Sequence, residues 1–142
     1  MFKRILLPID INDSHSWEET LPSCISMLES TPGAQLWILY VIPNFGMNIV
    51  EEYFPAGWKK EVKAKALSEL DIIFKSCKSE DIKPTFIIDR GVVYQEILEQ
   101  ATKLEADLIV MSAGNPNNKE YLLGPNVARV TRHADMSVLV SR

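Results

Sequence analysis

The chain has little of what marks several common classes of protein. It holds only two cysteines, Cys24 and Cys77, out of 142 residues. They lack metal-ligand spacing and both fall at apolar positions of helical stretches, so buried free thiols are expected rather than a disulfide framework. There is no Lys/Arg-rich block, and the formal net charge is -4, so the electrostatic footprint of a nucleic-acid binder is missing and no nucleic-acid partner is expected. No apolar run approaches the roughly 20 residues of a membrane helix. The opening "MFKRILLPID" has an apolar run too short for a signal h-region and reads as a strand, which points to a cytoplasmic protein with no membrane partner. Neither G-x-G-x-x-G nor G-x-x-x-x-G-K-[ST] occurs, so the common dinucleotide and P-loop fingerprints are absent. Of the two histidines, His15 sits in a loop and His133 at the end of the last helical stretch. Neither has a cysteine or serine partner at a recognisable motif spacing, and His133 is explained as a favourable charge at a helix C-terminus. No catalytic residue and no metal ligand set is expected.

What is present is a regular alternation. With 46% hydrophobic residues, the chain is long enough for one domain over residues 1–142 with a substantial core. Five short apolar runs, "RILLPI" (4–9), "AQLWILYVI" (34–42), "PTFIID" (84–89), "DLIVMSA" (107–113) and "SVLVS" (137–141), are continuous rather than alternating, as strands buried on both faces are. Between them, apolar residues recur at helical spacing: Trp17, Leu21, Cys24 and Leu28; Val62, Ala66, Leu70, Ile73 and Cys77; Tyr94, Ile97, Leu98, Ala101 and Leu104; then Val127, Val130 and Ala134. The order β-α-β-α-β-α-β-α-β predicts an α/β fold, a doubly wound five-stranded parallel sheet with four helices and right-handed crossovers. The one long connection, residues 42–57, is either a lid or partner-binding segment, or a loop that packs its own Phe45, Ile49, Tyr53 and Phe54.

A doubly wound sheet places its ligand crevice beyond the carboxyl ends of the strands, where the strand order reverses. Pro8 and Asp10 end the first strand there, followed by Asp13. A carboxylate at that point can meet ribose hydroxyls or approach a magnesium ion, or it can cap the first helix together with Ser14 and Ser16. Both readings stand for Asp10, and the cap is favoured for Asp13. Val41, at the end of the second strand, offers its backbone N–H and C=O. The stretch from Met111 through Ser112, Gly114 and Asn115 to Gly124, Pro125 and Asn126 joins the fourth strand to the last helix. Gly114, Asn115 and Gly124 tolerate positive φ, which would let backbone N–H groups converge on an anion beside a helix N-terminus. The same residues also make ordinary helix-start chemistry, with Pro125 in the first turn and Gly124 or Asn126 near the cap.

The strand "RILLPID", the segment "GVVYQEILEQATKLEADLIVMSA" and the ending "YLLGPNVARVTRHADMSVLVSR" resemble the universal stress protein family over essentially the whole length. The resemblance implies strand order 3-2-1-4-5, an adenine-nucleotide alpha hydrolase-like sheet and a homodimer formed through the last strand, Ser137 to Ser141. Members divide into ATP binders and non-binders, and some hydrolyse ATP slowly. The binders' loop carries a Gly, two residues, a second Gly, nine residues, a third Gly and then Ser or Thr. Here those positions hold Ser112, Asn115, Gly124 and Pro125, and the loop is one residue shorter. Pro8, Asp10 and Val41 match the family's adenosine side. The resemblance therefore implies a site for ATP, with or without Mg2+, or for AMP or ADP, drawn from Pro8, Asp10, Val41, Met111, Ser112, Gly114, Asn115, Gly124, Pro125 and Asn126. It implies a sensor or regulator in stress response. A nucleotide-independent dimer that docks an unknown protein partner is the alternative, and a slow ATPase is the weaker one.

Overall fold

The computed structural model describes residues 1–43, 58–114 and 123–142. Five strands, β1 (Arg4–Pro8), β2 (Gln35–Pro43), β3 (Thr85–Gly91), β4 (Leu108–Ser112) and β5 (Ser137–Ser141), alternate with four helices, α1 (Thr20–Glu29), α2 (Trp58–Lys75), α3 (Val93–Lys103) and α4 (Pro125–His133). The strands form one sheet in the order β3-β2-β1-β4-β5, and every pairing is parallel. The expected doubly wound fold is therefore present, with its order reversing between β1 and β4.

Side chains alternate across a strand, so each continuous apolar run feeds two cores at once. Ile5, Leu7, Ile38, Tyr40 and Val110 bury one face of the sheet together with Leu21 and Cys24 of α1 and Leu70 and Phe74 of α2. Leu6, Trp37, Leu39, Val41, Ile109 and Met111 bury the other with Ile97 and Ala101 of α3 and Val127 and Val130 of α4. Burial raises the Cys24 thiol to about 12, which leaves it inert as a nucleophile. Cys77 is also a free thiol but only partly buried, a correction to the expectation of two buried ones. It lies in the turn that follows α2 and packs against the core from its margin.

Two further features depart from the sequence expectations. Asp13 is a cap, accepting the His15 N–H at 3.1 Å, but it caps a separate 3-10 turn, Ser14–Ser16, rather than α1. Trp17 ends that turn, and α1 starts at Thr20. Thr20 is fully buried, and its hydroxyl donates to Ser16 C=O at 2.7 Å, so the short turn and the helix are joined through a satisfied polar contact. At the opposite end of the sheet, Asp107 accepts the N–H groups of Lys3 and Arg4 at 2.9 and 3.0 Å. That fixes the register of β1 against β4. Of the long connection expected to serve as a lid or docking loop, residues 44–57 lie outside the described residues.

Candidate functional site

The cleft lies at the carboxyl ends of β1, β2 and β4, at the reversal of strand order. It has a volume of about 280 Å³ and brings together Pro8, Asp10, Val41, Met111, Ser112, Gly114, Gly124, Pro125 and Asn126. Of the residues expected there, only Asn115 is missing from this description, because it lies outside the described residues. Ile9, Asp13, Ser16, Leu39, Pro43, Val93, Ile97 and Val127 also line it. Helical spacing had marked Ile97 and Val127 as core, and they are core residues whose outer ends form the cleft floor. Val93 and Pro43 carried no sequence signal, because only the crossover that brings α3 beside β2 makes them neighbours of the site.

One side of the cleft is the segment after β1. Ser16 Oγ accepts the Asp10 N–H at 2.9 Å and lies 2.7 Å from Asp13 C=O and 3.1 Å from Asp10 C=O. One hydroxyl therefore ties the whole turn together and fixes where both carboxylates stand. Asp10 is exposed, and its Oδ1 accepts the Asn12 N–H at 2.9 Å. Its Oδ2 has no hydrogen-bond donor among the described residues. Beside it runs β2, which extends beyond β1. The β1–β2 register ends at Pro8 opposite Leu39, and Ile9 N–H donates to Leu39 C=O at 2.8 Å. Backbone groups of a parallel strand face alternate neighbours along the chain. Val41, two residues beyond Leu39, therefore presents N–H and C=O to the side where β1 has already left the sheet.

The other side is the junction of β4 with α4. Ala113 N–H donates to Ser141 C=O at 2.7 Å, and Gly124 N–H to Ala113 C=O at 3.0 Å. These bonds hold the helix start against the end of β4. Gly114 adopts φ +125°, a conformation that favours glycine, and a Cβ there would lie 3.5 Å from Gly124 N. Gly124 does not take the positive φ expected of it. It is the N-cap of α4 with φ -55°, because its N–H is turned back to Ala113 rather than outward. Pro125 follows at the first helical position and has no N–H. The first bond of the helix runs from Ala128 N–H to Gly124 C=O. That leaves Asn126 and Val127 as the α4 N–H groups with no partner among the described residues, aimed where the positive end of the helix dipole lies.

The arrangement can hold an anion at the α4 end and a polar, partly apolar body between Asp10 and Val41. Among the described residues, no group of three or more His, Cys, Asp or Glu side chains is placed to hold a metal ion by itself. Asp10 and Asp13, which both line the cleft, could supply one or two carboxylates to a cation that a ligand also binds.

A five-stranded parallel sheet with a cleft at its switch point has the architecture in which α/β proteins place a ligand crevice. The model of the universal stress protein family matches residues 1–142, and the chain belongs to that family. Universal stress protein G of Shigella flexneri is 26% identical over 145 aligned residues that span the whole of both chains. The solved structure of MJ0577, a universal stress protein of Methanocaldococcus jannaschii, superposes with a TM-score of 0.73 at 28% identity, covering 99% of this chain and 95% of that one. A universal stress protein solved in complex with cAMP superposes with a TM-score of 0.65 at 20% identity, covering 99% and 97% of the two chains. At that identity the last likeness speaks for the fold.

Proposed function

We propose that the protein binds an adenine nucleotide in this cleft, ATP with Mg2+ in preference to ADP or AMP, and acts as a dimeric sensor or regulator in stress response. The observation that carries the reading is the pairing of two complementary ends within one cleft. Val41 offers a donor and an acceptor with no strand opposite, suited to the edge of an adenine, and the Asn126 and Val127 N–H groups sit at a helix N-terminus, suited to a phosphate. Asp10, held by Asn12 and Ser16, lines the same cleft and would meet a ribose hydroxyl or a phosphate-bound Mg2+. The cAMP held by the family neighbour of the same fold supports the choice of an adenine nucleotide. The ligand would be bound and oriented here. Dimerisation is expected through β5, whose Val138, Leu139 and Val140 are only half-buried and whose outer edge has no strand beside it among the described residues.

One observation favours a second reading, a dimer that docks a protein partner without nucleotide. Gly124 N–H is engaged by Ala113, and Pro125 contributes neither N–H nor hydroxyl, so the α4 start has fewer donors for a triphosphate than the family's binders. Calorimetric titration of the nucleotide-stripped protein with ATP, with and without Mg2+, and with AMP separates the two. Micromolar binding with ATP preferred supports the first. No heat where a Kd of about 1 mM would register, a free energy near -4 kcal/mol, sinks it. A light-scattering mass of one chain at micromolar concentration would sink the dimer.

A further inference from the structure

At the rim of the cleft where α3 and α4 begin, an arginine is held in place by an aromatic ring. The strands are all parallel, so both helices start at the carboxyl end of the sheet, and Val93 and Asn126 of their first turns line the cleft. Tyr94, the second residue of α3, packs against the core that Ile97 and Val127 share. Its hydroxyl oxygen accepts the Gln95 side-chain N–H at 3.2 Å. The guanidinium carbon of Arg129, on α4, lies 5.0 Å from the centroid of the Tyr94 ring. A guanidinium over a ring in the first turn of α3 stands at the level of the cleft mouth, not halfway along the helix pair.

Helix geometry agrees with that placement. Arg129 follows Asn126 by three residues, about 4.5 Å along the helix axis, and helical side chains slant toward the N-terminus of their own helix. Arg129 therefore reaches back over the turn that carries Asn126, and its contact with Tyr94 fixes where it ends. The residue is exposed, and among the described residues no carboxylate pairs with it. Stacking occupies one face of a guanidinium and leaves its N–H edge free, in the planar fork that matches two phosphate oxygens. Gly124 N–H is spent on Ala113 and Pro125 has none, so a side-chain donor at this rim stands where backbone donors are few. Arg132 and His133 lie in the last turn of α4, farther from the cleft.

We propose that Arg129, oriented by the Tyr94 ring, is the residue that makes the cleft prefer a nucleoside polyphosphate to a monophosphate, by binding the outer phosphates with its free N–H edge. The proposal rests on the reading of the cleft as an adenine-nucleotide site. The Asp10–Val41 side would supply the affinity that AMP and ATP have in common, and Arg129 the difference between them. Tyr94 is a positioning residue: it holds the guanidinium at the rim before the ligand arrives, so less side-chain freedom is lost on binding.

The test is calorimetric titration of the full, nucleotide-stripped chain with ATP, ADP and AMP at one fixed Mg2+ concentration. Arg129→Gln keeps the stem and removes the charge, and it should weaken ATP by about five- to tenfold, ADP by less and AMP not at all. Unchanged AMP affinity also certifies that the variant is folded. Arg129→Lys keeps the charge but not the fork and should fall between the two, and Tyr94→Leu should lower the ATP preference by a smaller factor while sparing AMP. Arg132→Gln, which removes the same charge one turn farther away, should change ATP affinity by less than about twofold, as for an exposed charge. In the wild type the Arg129 Nε–H resonance, assigned by its loss in Arg129→Gln, should move with ATP and stay with AMP. ATP affinity that Arg129→Gln leaves within about twofold of the wild type, equal losses for ATP and AMP, or an Arg132→Gln effect as large as that of Arg129→Gln overturns the assignment of Arg129 while the nucleotide site stands. A wild type that binds none of the three nucleotides sinks the site and the assignment together.

Discussion

The two sides of the cleft are built differently. The side after β1 is rigid and polar: one serine hydroxyl, Ser16 Oγ, ties the 10–16 turn, and two carboxylates project from it. The side at α4 is defined by what its backbone withholds. Gly124 N–H is turned to Ala113 and Pro125 has none, so the dipole of α4 acts through the remaining Asn126 and Val127 N–H groups. The difference teaches that a fold can keep a helix N-terminus at a cleft while reducing the number of unpartnered N–H groups there. Recognition would then rest more heavily on the Asp10–Val41 side, and the predictions below test that imbalance.

The largest effect is expected where the two sides share a floor. Ile97 is 1% exposed, packs with Leu39, Val41 and Val127, and lines the cleft. Ile97→Ala should lower unfolding stability by about 2–4 kcal/mol, from lost burial and the cavity left behind, seen as a drop in the urea midpoint at unchanged slope. A loss under about 1 kcal/mol would mean that the floor collapses onto the vacancy and that the cleft is more plastic than its packing indicates.

Next comes a gain of affinity on the weaker side. Pro125→Ser restores an N–H and adds a hydroxyl at the first position of α4. A hydrogen bond to a charged group contributes about 1.5–3 kcal/mol, so ATP should bind at least about tenfold tighter while AMP changes little. Equal changes for the two nucleotides would show that α4 is not the phosphate end. On the other side, Asp10→Asn keeps the acceptor for Asn12 N–H but removes the charge. The Mg2+-dependent part of ATP affinity should fall by roughly threefold, near 0.7 kcal/mol, as for a solvent-exposed charge, with little change in AMP binding. A loss that is the same without Mg2+ would assign Asp10 to the ribose instead.

How much of this was legible in the sequence follows from the range of the interactions. β5 is legible residue for residue, Ser137–Ser141, because its short apolar run is bounded by polar residues and rich in valine. The strand-end residues Pro8, Asp10 and Val41 could be placed at the crevice because the alternation of strands and helices fixes which end of the sheet carries it. The 3-10 turn at Ser14–Ser16 was not legible: "NDSHS" offers several caps, and only the contact of Ser16 with Asp10 chooses among them. Nor was the φ of Gly124, since a glycine permits either sign and the bond to Ala113 C=O selects one. Nor was the influence that the carboxyl groups of Asp89, near the end of β3, and Glu96, in the first turn of α3, exert on each other. It depends on the sharp turn at Gly91 that folds the helix start back over the strand end.

That pair of carboxyl groups gives the smallest of the expected effects, but one whose sign is fixed. Burial, first, and the neighbouring Asp89 carboxyl push Glu96 up to about 7, against 4.5 for an ordinary glutamate, so the folded state holds the proton more tightly than the unfolded chain does. Its contribution is fully present below about pH 4.5 and is lost as pH rises through 7. Asp89 acts oppositely: its folded carboxyl lies below the ordinary 3.8, so its contribution is lost as pH falls through the acid range. Together they place the optimum of the pair in mildly acidic solution. Urea midpoints of the wild type should therefore decline from pH 5 to pH 7.5, by an amount reduced because both side chains are partly solvated, and those of Glu96→Gln should stay flat over that interval. Ser16→Ala removes only the hydroxyl that ties the 10–16 turn, so it should shift the wild-type curve downward. A parallel decline in wild type and Glu96→Gln would place the pH dependence elsewhere in the molecule.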